Sequence, residues 1–186
     1  MRIPLISLLV LVSSFVLGQD KSPEIWTEND NAQYAKLKGL ANYIYKKERA
    51  QISRDTLFTN YVYFENVLND TDTERKERRV IAFDTLFCFF KKTVDSIGLR
   101  NLEAKPVRFY KNHKIYEPFD AEKSKQKTLA GEKMYAKHDN VFAYYRKEDP
   151  KEPLGVLLFE PDTDKLAAWI MLSQGGYRYF LTFNLL

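Results

Sequence analysis

The chain has 186 residues, of which 45% are hydrophobic, and this is enough to build the core of a single domain without covalent cross-links. Its single cysteine, Cys88, excludes an internal disulfide framework and a lipid-bearing cysteine near the N-terminus. The 29 Lys and Arg residues only slightly outnumber the 25 Asp and Glu residues, which is typical of a solvated, lysine-rich surface rather than a nucleic-acid-binding patch.

Residues 1–18 have the three-part pattern of a secretory signal peptide. Arg2 supplies a positive charge, the stretch from Leu5 to Leu17 is apolar apart from three serines, and the small residue Gly18 follows. This run is shorter than the roughly 20 apolar residues that a membrane-spanning helix needs. We therefore expect cleavage after Gly18, export to a periplasm or secretion, and a single domain at 19–186 without stable membrane insertion. An uncleaved N-terminal anchor is the alternative.

The next part of the sequence has helical periodicity. A first helix is expected to begin at Asp30, whose side chain can cap it together with Gln33 three residues later. The apolar face of this helix comprises Tyr34, Leu37, Ala41 and Ile44. Residues 54–68 have apolar residues at helical spacing but are also rich in strand-forming residues, so we expect a helix there with a strand as the alternative.

The third predicted helix has the clearest pattern in the chain. Thr71 and Glu74 have the spacing of a capping box, and Gly98 supplies a C-terminal stop. Between them, apolar residues recur at spacings of three and four: Val80, Phe83, Phe87, Phe90, Val94 and Ile97. An aromatic stripe at this spacing is typical of a helix face packed into a core, and we interpret it in this way rather than as a ligand groove.

From residue 105 onwards, frequent turn signals separate short strand-like segments. The expected strands are 107–110, 114–116, 134–137, 141–147, 154–160, 165–173 and 177–185. Short links join antiparallel neighbours, so these segments predict a meander. The predicted fold class is α+β, with three N-terminal helices packed on one face of a C-terminal antiparallel sheet. By analogy alone, this order is compatible with the cone-shaped folds of the nuclear-transport-factor and cystatin types.

The sheet face that points away from the predicted helices has an unusual composition. Strand alternation places aromatic, methionine and arginine side chains there, beside Phe142, whereas an ordinary solvent-facing strand carries Thr, Lys and Glu. Aromatic and arginine residues are enriched at interface centres, so we predict that this face binds a ligand or partner. Its predicted binding residues are Tyr144, Arg146, Trp169, Met171, Arg178 and Phe180. The alternatives are a curved sheet that fills this face with its own side chains and a homodimer formed through it.

No pattern in the sequence predicts a catalytic, metal or cofactor site. His113 and His138 fall in predicted turns without cysteine partners, so zinc is not expected. Cys88 has Asp84 and Lys92 one helical turn away on either side, but an activated thiol also needs an oriented base. Phosphate-binding glycine loops, Gly-x-Ser-x-Gly elbows and His-Glu-x-x-His pairs do not occur in the sequence.

Export, a single domain and the lack of recognisable chemistry favour a binding protein over an enzyme. We expect it to recognise a protein or a small ligand, as an inhibitor, an immunity-type protein or a component of an envelope assembly would. The alternative is a hydrolase or isomerase of the cone-shaped type, with an acid or base in an apolar pocket. No cofactor and no nucleic acid are expected.

Overall fold

The structure, a computed structural model, describes residues 24–120, 138–174 and 177–186. The predicted signal peptide at 1–18 and the predicted strand at 134–137 lie outside these residues. Within the described residues, four α-helices are followed by six strands in two antiparallel sheets, which confirms the predicted α+β class. Neither sheet closes into a barrel in this part of the chain.

Helix α1 (Glu28–Ile44) has Thr27 as its N-cap, three residues before the predicted cap at Asp30. The Thr27 hydroxyl accepts a hydrogen bond from the Asp30 N–H at 3.1 Å, and the Asp30 carboxylate accepts one from the Thr27 N–H at 2.5 Å. Asp30 also binds the guanidinium of Arg108 and is fully buried. Its carboxylate therefore both completes the capping box and joins α1 to a later segment.

The segment at 54–68 combines its two predicted alternatives. It forms two short helices, α2 (Arg54–Asn60) and α3 (Glu65–Leu68), so the expectation of one continuous helix is corrected. Between these helices, Val62 makes a parallel bridge to Leu166, and residues on either side of Val62 hydrogen-bond to the Leu166 backbone. The strand-forming residues here tie the helical half of the chain to the sheet.

Helix α4 (Thr73–Ile97) is the longest helix among the described residues. Its N-cap is Asp72, whose carboxylate accepts a hydrogen bond from the Arg75 N–H at 3.0 Å, rather than the predicted Thr71. It ends at Gly98, where φ of +82° suits a residue without a Cβ atom. The predicted core face is confirmed at Phe83, Phe87, Phe90 and Val94, which are buried, whereas Val80 and Ile97 are half-buried.

The main sheet is an antiparallel meander of four strands in chain order. Its strands are β1 (Leu102–Pro106), β2 (Val141–Arg146), β3 (Gly155–Phe159) and β4 (Leu166–Ala168). A separate two-stranded sheet pairs β5 (Met171–Gln174) with β6 (Tyr177–Phe180). The strands predicted at 141–147 and 154–160 are therefore confirmed within one residue at each end.

The strand prediction is wrong, wholly or in part, for four of the predicted strands. Residues 107–110 form a 3₁₀ helix and residues 114–116 form a turn, although both segments, on either side of a turn signal, are predicted to be strands. The strand of this region, β1, comes earlier and ends at Pro106, which has no N–H for a further ladder hydrogen bond. The strand predicted at 165–173 is broken at Trp169, which lies between β4 and β5. The strand predicted at 177–185 ends at Phe180, and Phe183–Leu185 forms a 3₁₀ helix.

Apolar side chains pack on both sides of the main sheet. On one side they join the α4 stripe in a helix-side core, whose largest fully buried members are Phe64, Phe83, Phe87, Phe142, Phe159 and Phe183. The intervening strand residues form a smaller outer-side core on the other side. It contains Val107, Tyr110, Phe119, Val141, Ala143, Val156, Leu158, Ala167, Ala168 and Phe180. Both faces of the sheet are therefore covered, one by helices and the other by short 3₁₀ helices and β6.

Candidate functional site

The predicted binding face does not exist as one surface. Tyr144 and Trp169 pack against the helix-side core, whereas Met171 and Phe180 pack against the outer-side core. The prediction requires an unbroken strand over 165–173, and the break at Trp169 removes that alternation. The expectation that these residues share a face is corrected, and their role in ligand binding stays a prediction.

Trp169 takes part in the aromatic packing of the helix-side core. Its ring stacks on Phe90 with centroids 4.8 Å apart and contacts Phe183 at 4.4 Å. The indole Nε1–H is buried and has no hydrogen-bond partner among the described residues. In contrast, Arg146 and Arg178 are exposed. The indole and the two guanidinium groups therefore do not form one site.

The structure provides a different candidate site, an apolar crevice between α1, the C-terminal half of α4 and strands β1 to β3. Leu37 and Ala41 are one turn apart on α1, Phe90 and Val94 are one turn apart on α4, and Leu157 reaches the crevice from β3. The space open to the centre of a water molecule is about 20 Å³, and the total empty space, including solvent at the mouth, is about 450 Å³. By the smaller measure the crevice holds little more than one water-sized group, so its apolar lining suits the end of one slim alkyl chain.

Three polar side chains form the rim of the crevice. The Tyr34 hydroxyl donates a hydrogen bond to Glu103 Oε2 at 2.6 Å, and the Lys38 ammonium lies 3.5 Å from Glu103 Oε1. Burial and the bond to the Glu103 carboxylate raise the pKa of Tyr34 well above its usual value, so it is a protonated donor at neutral pH. A carboxylate has about four acceptor positions, so Glu103 can accept a further hydrogen bond from a bound group.

Tyr144 is the predicted binding residue that lines the crevice. Its ring lies against Gly155, its cross-strand neighbour, where a Cβ atom would come within 2.7 Å of Tyr144 Cε1 and 2.8 Å of its hydroxyl oxygen. Burial raises the pKa of the Tyr144 phenol. Gly155 therefore positions this wall, a role that the sequence analysis missed although a glycine opposite an aromatic residue is a recognisable strand pairing.

The crevice suits binding better than acid–base chemistry. Glu103 is the carboxylate of its lining, and both of its oxygens already have partners in Tyr34 and Lys38. Local sequence patterns do not reveal this group, because Tyr34 and Glu103 are 69 residues apart in the chain. Each belongs to an element whose neighbours are set only when the helices pack on the sheet.

A second, polar recess lies beside α2. Arg49 and Arg54 both bind the Asp84 carboxylate of α4, with 2.5 Å between Arg49 Nη2 and Asp84 Oδ1. Burial raises the pKa of Asp84, but the hydrogen bonds from both arginines outweigh this and hold it below its usual value. The Arg49 guanidinium also lies 5.7 Å from the centre of the Phe87 ring. Through these contacts, the ion pairs of the recess connect the segment at 49–54 to α4.

Comparison with known proteins adds no functional information. No protein-family model matches the chain, and neither a curated protein nor a solved structure is significantly similar to it. No helix within 24–120, 138–174 or 177–186 is long and apolar enough to span a membrane. The same described ranges hold no group of three or more His, Cys, Asp or Glu side chains placed to bind a metal ion. The crevice is the feature of the structure on which a proposed function can be based.

Proposed function

We propose that this chain is an exported binding protein that holds the apolar part of a small ligand in the crevice. The observation that carries the proposal is the combination of apolar walls from five elements with a polar rim at one end. The pattern of residues 1–18 supports export. The helix-side location of Tyr144 supports a binding role for that predicted residue in particular.

The rim favours a ligand whose polar end donates hydrogen bonds. Glu103 already accepts from Tyr34 and lies beside Lys38, and its remaining acceptor positions can bind a hydroxyl or an ammonium group. The carboxylate of a bound acid would be attracted by the Lys38 ammonium but repelled by the Glu103 carboxylate. We therefore propose an amphipathic alcohol or amine with a short apolar body.

A chain-length series of simple ligands tests this proposal. Primary alkylamines, alkanols and alkanoates of about four to eight carbons are titrated into the protein, and methyl NMR signals of Leu37 and Leu157 are followed. Affinity should rise about fourfold with each added methylene until the crevice is filled, since burying one contributes about 0.8 kcal/mol. Amines should bind more tightly than alkanoates of equal length, and Glu103→Gln should reduce that preference.

Two substitutions in the last turns of α4 provide a matched comparison. Thr93 lines the crevice, whereas Ser96 is exposed on the same helix. Thr93→Phe should block binding of the whole series, and Ser96→Phe should leave it unchanged. Affinity that does not depend on chain length, or binding that survives Thr93→Phe, would contradict the proposal.

The export part of the proposal has its own test. The full chain is produced in a bacterial host with a periplasm, and the mass of the protein recovered from that compartment is measured. The expected product begins after Gly18. A protein that retains residues 1–18, or that stays in the cytoplasmic fraction, would contradict export without affecting the crevice.

A further inference from the structure

The outward face of α4 carries large apolar side chains that no other described residue covers. Ile81 is 57% exposed and Phe89 is 61% exposed, and Cys88 beside them is also exposed. Exposed apolar groups clustered on one helix face are typical of a surface that pairs with another surface. Phe90 and Val94, which line the crevice, lie on the opposite face of the same helix.

The exposed side chains form a regular seam along α4. The seam comprises Glu74, Arg78, Ile81, Thr85, Cys88 and Lys92, and all six residues are exposed. Their spacing of four, three, four, three and four residues is that of the seam by which two helices pair side by side, with Ile81 and Cys88 as its apolar members. At 1.5 Å per residue the seam is roughly 27 Å long. Because the order of spacings is the same from either end, the seam matches a second copy of itself running in the opposite direction.

We infer that two copies of this chain associate through the seam, with their α4 helices antiparallel and a two-fold axis level with the middle of the seam. Ile81 then lies opposite Thr85 of the partner subunit at the centre. Glu74 lies opposite Lys92 of the partner subunit at each end, so the ends carry opposite charges. In a parallel pair, every charged residue would instead meet its own copy, which is unfavourable.

The interface is small, and this determines how it behaves. A single helix pair buries less surface than the standard interface of a stable complex, so the dimer forms in a concentration-dependent way. Phe89 flanks the seam and adds apolar area, with the Lys92 ammonium 5.9 Å from its ring centre. The crevice stays open in this arrangement, so the dimer is independent of the proposed ligand binding.

Sedimentation equilibrium at concentrations up to about 1 mM measures the association directly. The wild-type protein should approach the dimer mass. Ile81→Glu should keep it monomeric, because each subunit would then place a charged carboxylate at the centre of the interface, opposite Thr85 of the partner subunit. Ile25→Glu is the matched control, since Ile25 is 71% exposed and lies outside the seam. A monomeric wild-type protein, or equal dimerisation of both variants, would overturn the inference.

Cysteine cross-linking tests the register. Arg78 lies opposite Cys88 of the partner subunit, so Arg78→Cys should give a covalent dimer on mild oxidation. Two copies of Cys88 are ten positions apart along the seam, roughly 15 Å, so the wild-type protein should not cross-link. Ser96→Cys, also exposed but beyond the seam, is the control that should also stay uncross-linked. Efficient cross-linking of the wild-type protein through Cys88 alone would overturn the antiparallel register.

Discussion

The two sides of the main sheet are stabilised in different ways. On the helix side, aromatic rings pack against one another, and Phe83 lies 5.2 Å from Phe64 and 5.5 Å from Phe183 between ring centroids. On the outer side, strand residues such as Ala143 are small, and the 3₁₀ helix at 107–110 covers them. The stability of the helix side therefore depends on the fit of large side chains. The stability of the outer side depends on how the 3₁₀ helix at 107–110 is attached.

A buried ion pair attaches this 3₁₀ helix to α1. Arg108 donates hydrogen bonds to both carboxylate oxygens of Asp30, at 2.8 and 2.5 Å. Burial raises the pKa of Asp30, but the hydrogen bonds from Arg108 and Thr27 outweigh this and hold it below its usual value. One side of the sheet is therefore held by an ion pair whose charge depends on pH, and the other is held by apolar packing.

The largest effect is expected from removing a ring at the centre of the helix side. Phe83→Ala should lower the free energy of unfolding by about 4 kcal/mol, because it loses buried area and leaves a cavity among five aromatic neighbours. Urea denaturation measures this loss, which should be similar at neutral and acidic pH. A loss below about 1 kcal/mol would mean that the rings are not closely packed.

A substitution of Trp169 tests whether this residue, at the interruption between β4 and β5, contributes to the helix-side core. Trp169→Ala should lower the free energy of unfolding by about 3 to 4 kcal/mol, since its ring lies between Phe90 and Phe183. A protein that keeps its full stability but loses a binding activity would instead support the sequence-based interpretation of Trp169 as a surface residue. Thermal and urea unfolding distinguish the two outcomes.

The ion pair of the outer side should give a pH-dependent loss. Arg108→Met leaves the Asp30 carboxylate buried without its cation, which should cost about 3 kcal/mol at neutral pH. Because the pKa of Asp30 is lowered in the folded wild-type protein, this stability is present above pH of about 4 and is lost as the pH falls further. The deficit of the variant should therefore shrink in acid.

Unfolding curves at neutral pH and at about pH 3 measure this change. Arg146→Met is the matched control, since Arg146 is exposed at the end of β2. An equal deficit at both pH values would show that packing of the Arg108 side chain, rather than its charge, attaches the cover.

The smallest effect is expected at Arg178. This residue is exposed on β6, so Arg178→Ala should change the free energy of unfolding by less than about 0.5 kcal/mol. Paired with Trp169→Ala, it separates two residues that strand alternation predicts on one face. A loss similar to that of the tryptophan variant would mean that β6 is held by this arginine.

The parts of the fold that depend on local spacing could be predicted from the sequence. The α4 stripe and the strands around Phe142 and Leu157 have periods that identify them, because their neighbours in the chain share their environment. β1 was missed although Glu103 and Lys105 alternate with its apolar residues, because the run is short and Pro106 resembles a turn signal. The break at Trp169 was missed because nothing in its residue types marks the end of a strand.

Of the predicted binding residues, only Tyr144 belongs to the candidate site. Tyr144 lines the crevice, but it does so from the helix side of the sheet rather than from the opposite face. The rim joins Tyr34 and Lys38 of α1 to Glu103 of β1, and this contact exists only after the helix packs on the sheet. Spacing within a segment cannot reveal contacts between segments that lie far apart in the chain.

The bridge between Val62 and Leu166 has a consequence for behaviour in solution. The outermost strand of an open sheet exposes unpaired backbone groups that can recruit a strand from another molecule and start aggregation. Here the Leu166 N–H and C=O are both used by the segment between α2 and α3, and β4 has only three residues. The helical half of the chain therefore shields this border of the sheet, so loosening that segment should promote self-association into insoluble material before the cores unfold.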